Sequence, residues 1–296
     1  MMTLWAPAKL NLFLHVVGRR SDGYHLLQSL FCPIDWLDRI TLEESALGIY
    51  RGGNCPWPVE DDLAYRAAMR LREEGLKMGR ASRELGCMVS VHKGIPTGAG
   101  LGGGSSDAAT VLMGLNRLWG LGLTAGDLAR IGLELGADVP FFVFGESAFV
   151  EGIGEQVSPM PVAAEWFLVA VPPQPVPTVE IFRDAALTRN TEALTVRDLA
   201  QAAGNPSFTF GRNDLQPVAF SRYPALATVA QELLEEALAV GLEEGSVRMS
   251  GSGGAIFCSC RDEADARRLE ERLTQRGIGA RVRVCRHLHE PPAHLL

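Results

Sequence analysis

The 296-residue chain contains no C-x-x-C pair, and its six cysteines, Cys32, Cys55, Cys87, Cys258, Cys260 and Cys285, are scattered. That spacing offers neither a zinc ligand set nor a disulfide framework, and it points to a reduced, cytoplasmic protein. A basic surplus is also missing: 28 Lys and Arg face 35 Asp and Glu, for a formal net charge of −7. Nucleic-acid phosphates favour a basic surface, so no nucleic-acid partner is expected. No uncharged apolar run approaches the about 20 residues that cross a bilayer, so no membrane partner is expected either. The start, Met1-Met2-Thr3-Leu4-Trp5, lacks a basic leader and a small-residue cleavage site, and export is not expected. There is no internal repeat and no low-complexity tract. What remains is the composition of a soluble globular protein, 47% hydrophobic and 21% charged, long enough for one large or two ordinary domains.

Against these absences stands one stretch of nearly bare backbone. Pro96, Thr97, Gly98, Ala99, Gly100, Leu101, Gly102, Gly103, Gly104, Ser105 and Ser106 run directly into a helical pattern that begins Asp107-Ala-Ala-Thr-Val-Leu-Met. Such backbone costs entropy and is tolerated mainly where a ligand must touch main-chain N–H groups. The unpaired N–H groups and positive dipole end of the following helix favour phosphate as that ligand. Gly98, Gly100 and Gly103 satisfy G-x-G-x-x-G, but a dinucleotide site also needs a strand ending in an acid about 20 residues on. Here the chain continues in helical period, Leu128-Ala-Arg-Ile-Gly-Leu-Glu-Leu. A Walker loop needs a lysine before Ser105; none is there, and Lys93 precedes the loop. A Gly/Ser cradle remains, with cations supplied from elsewhere in the chain.

Periodicity organises the rest. From Ala6 to Val17 the even positions Ala8, Leu10, Leu12, Leu14 and Val16 are apolar, which predicts a strand with Lys9 and Asn11 on its other, polar face. A turn at Arg19 to Gly23, a mixed segment to Arg39 and short strands at 40–43 and 47–50 should follow. Helices are expected at 62–74, 106–119, 125–135, from about 179, at 224–240 and at 263–276. Strands are expected at 87–92, after Pro140, and at 166–171, 246–249, 255–260 and 280–285. Residues 290–296 read as a loose tail. Proline clusters at 158–161 and 172–177 frame one strand like linker backbone. Strands and helices interleave without a regular βα repeat, so α+β with two halves fits best. Ser250-Gly-Ser-Gly-Gly254 reads equally well as a hairpin turn or as a second ligand loop.

In order along the chain stand Pro7-Ala-Lys-Leu-Asn11, the glycine loop, Gly136-Ala-Asp-Val-Pro-Phe-Phe142 and Ser250-Gly-Ser-Gly-Gly254. This series, from residue 6 to about 285, resembles the ordered motifs of the GHMP small-molecule kinases. Arg20-Ser-Asp-Gly-Tyr-His25, Pro177-Thr-Val-Glu-Ile-Phe182 and Arg212-Asn-Asp-Leu-Gln-Pro217 narrow the resemblance to the branch acting on 4-(cytidine 5'-diphospho)-2-C-methyl-D-erythritol, on the non-mevalonate route to isoprenoid precursors. The resemblance implies a two-domain fold: a ribosomal S5 domain 2-like, ATP-binding half over 1–160 and a ferredoxin-like half over 161–296, with the active site in the cleft between them.

It further implies roles for individual residues. Lys9 and Asp138 would be the catalytic pair flanking the acceptor hydroxyl. Lys93 and the loop from Pro96 to Ser106 would bind ATP. Asn11 and Thr178 would bind the substrate, Tyr24 and Phe182 would stack on the two faces of its cytosine, and His25 would meet the base's polar edge. Mg²⁺ would be held mainly by ATP and water, with no metal site of the protein's own. The partner is a small molecule carrying a cytidine diphosphate group; no oligomeric state is implied. One departure stands out: Asp62 occupies a position where the family often has asparagine near the adenine, and an ionised carboxylate cannot donate a hydrogen bond. A homoserine, mevalonate or sugar kinase of the same superfamily would share the loop but would have no need of Tyr24, His25 and Phe182. A catalytically silent ligand sensor would have no need of Lys9 and Asp138.

Overall fold

The computed structural model describes residues 1–46, 48–80, 84–205 and 208–290. Leu47, where a short strand was expected to begin, and all but the first residue of the expected tail at 290–296 lie outside the described residues. The first sheet is built on a long antiparallel hairpin of β1 (Met2–Arg19) and β2 (His25–Glu44). The expected turn joins them, closed by Gly23 N–H donating to Arg20 O at 3.0 Å and Arg20 N–H to Tyr24 O at 2.7 Å.

β2 is a single strand rather than a mixed segment and a short strand. One of its edges pairs with β1, while the other takes β5 (Ala148–Gly152) at Leu27–Phe31 and β4 (Cys87–His92) at Arg39–Glu44. Between those partners Cys32, Pro33 and Ile34 are all buried. A strand covered on both faces loses the alternation by which a strand is recognised. β3 (Ile49–Gly53) lies parallel to β4, and β6 (Gln156–Pro159) pairs with β5.

Four helices cover one face of this sheet: α1 (Leu63–Lys77), α2 (Gly103–Leu118), α3 (Ala125–Leu133) and α4 (Val139–Phe144). α4 replaces the strand expected after Pro140. Proline is tolerated in a helix's first turn, and the apolar run Val-Pro-Phe-Phe-Val is buried throughout, which short strands and buried helices have in common.

The second sheet has the order β10-β7-β9-β8, all antiparallel, from β7 (Trp166–Val171), β8 (Val247–Met249), β9 (Ile256–Cys260) and β10 (Arg281–Arg286). Helices α5 (Thr178–Arg183), α6 (Val196–Ala203), α7 (Gln216–Arg222) and α8 (Pro224–Ala239) separate β7 from β8, and α9 (Glu263–Arg276) joins β9 to β10. That order and connectivity are the split βαβ of a ferredoxin-like half. α9 coincides with its expected span because both ends are marked in the sequence. Asp262 accepts from Asp265 N–H at 2.8 Å, and Gly277 takes the left-handed conformation that stops the helix.

A third core joins the two sheets. Leu10, Leu12, Leu30 and Trp36 from the hairpin meet Phe167, Val169 and Phe257 from β7 and β9. The even side of β1 is therefore the expected apolar face. Its odd side is not wet, however: Lys9 and Asn11 are 3% and 1% exposed.

His287 sits at this junction, bridging to Ile34 of β2, with its Nε2 2.6 Å from Ser147 Oγ. Burial, with His289 beside it, pushes its pKa down to about 4. The unfolded chain takes up this proton near pH 6.5 and the folded chain does so only near pH 4, so stability falls as pH drops through that window. The full effect is on the order of 3 kcal/mol. Melting curves of His287→Gln should therefore show a shallower fall in Tm between pH 6.5 and 4.5 than the parent; equal slopes would assign the acid sensitivity to other groups.

Candidate active site

The glycine loop ends on α2. Gly102 is the helix's N-cap in a left-handed conformation, φ +71°, and a Cβ there would come within 2.9 Å of the Phe142 ring and 3.1 Å of Lys9 Cγ. Only glycine fits both demands. The Ser106 N–H bonds back to Gly102 O at 2.9 Å, so the N–H groups of residues 103–105 start the helix without helical acceptors. They add up to an anion cradle at the positive end of a 16-residue helix. Ser106 Oγ is buried with no hydrogen-bond partner among the described residues.

Lys9 is fastened to this loop. Its N–H donates to Leu101 O at 2.9 Å, while its ammonium lies 3.8 Å from Asp138 Oδ2, donates to Asn11 Oδ1 and faces the Phe31 ring at 4.7 Å. Burial lowers the Lys9 pKa, and the opposing pull of Asp138 does not cancel that shift. Asp138 occupies the N-cap position of α4, yet its side chain caps nothing and is 31% exposed. A carboxylate at a helix N-terminus that makes no capping bond is free for other work.

The C-terminal glycine turn closes over this pair. Residues 250–254 link β8 to β9 as a hairpin turn, and the same residues dock on the phosphate loop. Ala255 N–H donates to Ala99 O at 2.8 Å; Ser250 Oγ accepts from Asn11 N–H at 3.1 Å and reaches Gly100 O at 3.3 Å. At Gly251 a Cβ would stand 3.1 Å from Asn11 Oδ1 and 3.5 Å from Lys9 Nζ, so a side chain there would press on the pair. Asn213 holds the turn with two bonds from its amide, to Met249 O and Gly251 O, both 2.8 Å. Of the two roles weighed for Ser250 to Gly254, the structure shows the hairpin turn, and that turn packs onto the glycine loop.

Asn11 was expected to bind substrate. Its amide oxygen instead accepts from Lys9, and its nitrogen donates to Ser29 Oγ at 2.9 Å. Lys93 was expected to bind ATP, but its ammonium is engaged by Asp38 and, at 2.7 Å, by Asp107. Burial opposes the Lys93 charge, and the two carboxylates outweigh it, raising the pKa. Burial also drives the Asp107 pKa well up against the pull of Lys93. Asp38 Oδ1 accepts from Gly94 N–H at 2.6 Å and Ile95 N–H at 2.8 Å, so this buried trio pins the chain entering the loop. Asp62 accepts from Ala64 N–H at 2.9 Å as the N-cap of α1 and pairs with Arg51 at 3.0 Å. Its carboxylate is thereby committed to structure.

The second cluster lies on α5. Thr178 Oγ1 is 2.6 Å from Ser252 Oγ in the glycine turn, and Phe182, one helical turn further on, packs against the His25 ring with centroids 5.2 Å apart. Four residues of helix advance about 6 Å, so the contacts of Thr178 with the glycine turn and of Phe182 with His25 stand one turn apart on α5. Tyr24, next to His25, is 61% exposed, unusual for an aromatic ring of its size. Arg189, which carried no sequence signal, donates from Nε to His25 Nε2 at 3.1 Å. Asp38 and Asp107 were likewise not anticipated, since nothing in a lone aspartate announces a buried lysine partner distant in sequence.

These motifs and this geometry have close counterparts. The description "GHMP kinases N terminal domain" matches residues 62–146, and "GHMP kinases C terminal" matches residues 191–279. The 4-diphosphocytidyl-2-C-methyl-D-erythritol kinase of Cupriavidus necator is 44% identical over 285 residues, covering 95% of this chain and 92% of that protein. The enzyme of the same name from Bordetella bronchiseptica is 47% identical over 279 residues, covering 92% and 88%. A crystal structure of 4-(cytidine 5'-diphospho)-2C-methyl-D-erythritol kinase superposes with TM-score 0.78 at 36% identity, over 97% of this chain and 99% of that one. Homoserine kinase from Cytophaga hutchinsonii, at TM-score 0.73 and 17% identity, shares the fold. Matched over 92–97% of its length by these kinases at 36–47% identity, the chain belongs to the GHMP kinase family, on the branch of the 4-diphosphocytidyl-2-C-methyl-D-erythritol kinases.

Proposed function

We propose that this chain transfers the γ-phosphoryl group of ATP to the 2-hydroxyl of 4-(cytidine 5'-diphospho)-2-C-methyl-D-erythritol, on the methylerythritol phosphate route to isoprenoid precursors. The observation that carries this is α5, which meets the glycine turn beside Lys9 through Thr178 and Ser252 and meets His25 through Phe182. A kinase for homoserine or mevalonate would have no base to place against Tyr24, His25 and Phe182.

In this mechanism residues 96–106 and the α2 N-terminus hold the triphosphate, and Lys93 braces the loop from behind. The acceptor hydroxyl lies between Lys9 and Asp138. Its oxygen attacks the γ-phosphorus, the bond to the β-phosphate oxygen breaks, ADP leaves, and the hydroxyl proton passes to Asp138. Phosphoryl transfer has a loose transition state, so positioning and charge stabilisation dominate. Asp138 therefore orients the hydroxyl and accepts its proton late, while the Lys9 ammonium offsets charge growing on the transferred group. Asn11 sets the Lys9 side chain, and Thr178 with Phe182 lines the path to the base.

Among the described residues no group of three or more His, Cys, Asp or Glu side chains could hold a metal ion. A Mg²⁺ ion carried in by ATP fits this site, with the unpartnered Ser106 hydroxyl as the protein oxygen available beside it. Such an ion would neutralise phosphate charge. Residues 1–160 then serve as the ATP-binding half and 161–296 as the half that completes the cleft. All six cysteines are free, which suits a reducing cytoplasm. An ADP-release assay comparing the cytidine-diphospho substrate with homoserine, mevalonate and galactose tests the assignment. Turnover is expected with the first alone, and activity on any of the other three but not the first would overturn it.

A further inference from the structure

The contact between Arg189 and His25 bears on how the base is chosen. Arginine is a donor at every nitrogen, so its Nε–H can bond to His25 Nε2 at 3.1 Å only if that nitrogen is unprotonated. The ring proton then resides on Nδ1. Burial and the neighbouring guanidiniums of Arg189 and Arg19 lower the His25 pKa, which disfavours the doubly protonated ring. Arg189 is itself held firmly: its terminal nitrogens donate to Phe182 O at 3.2 Å, Asp184 O at 2.6 Å and Leu187 O at 3.0 Å. The fork cannot rotate to release His25 without breaking these three bonds. Among the described residues, Nδ1 makes no hydrogen bond of its own.

We infer that Arg189 is a specificity-determining positioning residue: by holding His25 as the Nδ1–H tautomer it presents a fixed donor, which accepts cytosine and rejects uracil. The inference rests on the proposed cytidine-diphospho substrate. Cytosine offers a lone pair at N3, where uracil carries a hydrogen, and O2 accepts in both, so a donor makes the choice at N3. A donor facing a donor leaves both unpaired, and a site built around a hydrogen bond discriminates strongly against a partner that cannot complete it. The aromatic faces of Tyr24 and Phe182 cannot make this choice, because stacking is nearly blind to base identity. Without Arg189 the imidazole could move its proton to Nε2, turn Nδ1 into an acceptor and receive uracil's N3–H.

Two measurements test this. The first is nitrogen NMR of the intact protein with ¹⁵N-labelled histidine. His25 should show a protonated Nδ1 and a bare Nε2 in the parent, and mixed tautomers in Arg189→Ala. A parent with its proton on Nε2 overturns the inference whatever the enzyme's substrate proves to be. The second is kcat/KM for cytidine- against uridine-diphospho-methylerythritol. Arg189→Ala should reduce the preference for cytidine by about tenfold or more, and Arg189→Lys, which keeps the charge but not the fork, should reduce it as well. Loss of activity on both substrates in equal measure, with the ratio unchanged, would make Arg189 only a staple for α5 and overturn its role in specificity. A parent inactive on both substrates while showing the Nδ1–H tautomer would instead fault the substrate assignment.

Discussion

Replacing Asp138 by Asn is expected to lower kcat by about 10²–10⁴-fold, the usual worth of a positioned general base, with both ligands still bound. The structure makes this variant a clean one. Asp138 stands at the N-cap of α4 without capping it, and among the described residues its one partner within salt-bridge reach is Lys9 at 3.8 Å. An amide of the same shape therefore leaves the helix start intact and removes only charge and proton-accepting capacity. Single-turnover rates with saturating ATP, together with calorimetric binding of the cytidine-diphospho substrate, separate the two effects. A variant within about threefold of the parent in kcat would remove Asp138 from the reaction, since an interaction made only in the transition state must appear in kcat.

Lys9→Met should lower kcat by about 10²–10³-fold, the cost of deleting one preorganised group that stabilises charge developing in the transition state. Methionine fills much of the buried volume that the lysine stem occupies beside Gly102, so packing against the loop should survive. The ATP Kd should move little, because the cradle is made by main-chain N–H groups. A selective loss of ATP affinity instead would place Lys9 with the nucleotide. The pH profile adds a signature. Burial lowers the Lys9 pKa below that of a free lysine, so an activity that needs the ammonium should decline with rising pH earlier than an ordinary lysine would dictate. That alkaline limb should be absent from the residual activity of Lys9→Met.

These expectations draw on two kinds of information. The anchor was legible in the chain itself, because a glycine loop that runs into a helix announces phosphate through backbone chemistry alone. Helix α9 was legible for a similar reason: Asp262 and Gly277 mark its ends locally. β2 and α4 were not. A strand buried on both faces and a short buried helix both present unbroken apolar runs, and periodicity cannot separate them. Lys9 and Asn11 misled in another way, since alternation on β1 reports which residues differ and not whether the polar side meets water.

The sequence by itself marked the glycine loop as a candidate phosphate cradle, and its resemblance to the GHMP kinases singled out Lys9, Asp138, Tyr24, His25 and Phe182 as candidate site residues. The tertiary structure decided who holds whom. It engaged Lys93 with Asp38 and Asp107, turned Asn11 toward Lys9, laid the 250–254 turn over the pair and brought Arg189 to His25. The physical reason is range. A loop's demand for glycine and a helix's caps are settled among neighbours in the chain, whereas the partner of a buried charge is chosen only when distant segments pack and water is excluded.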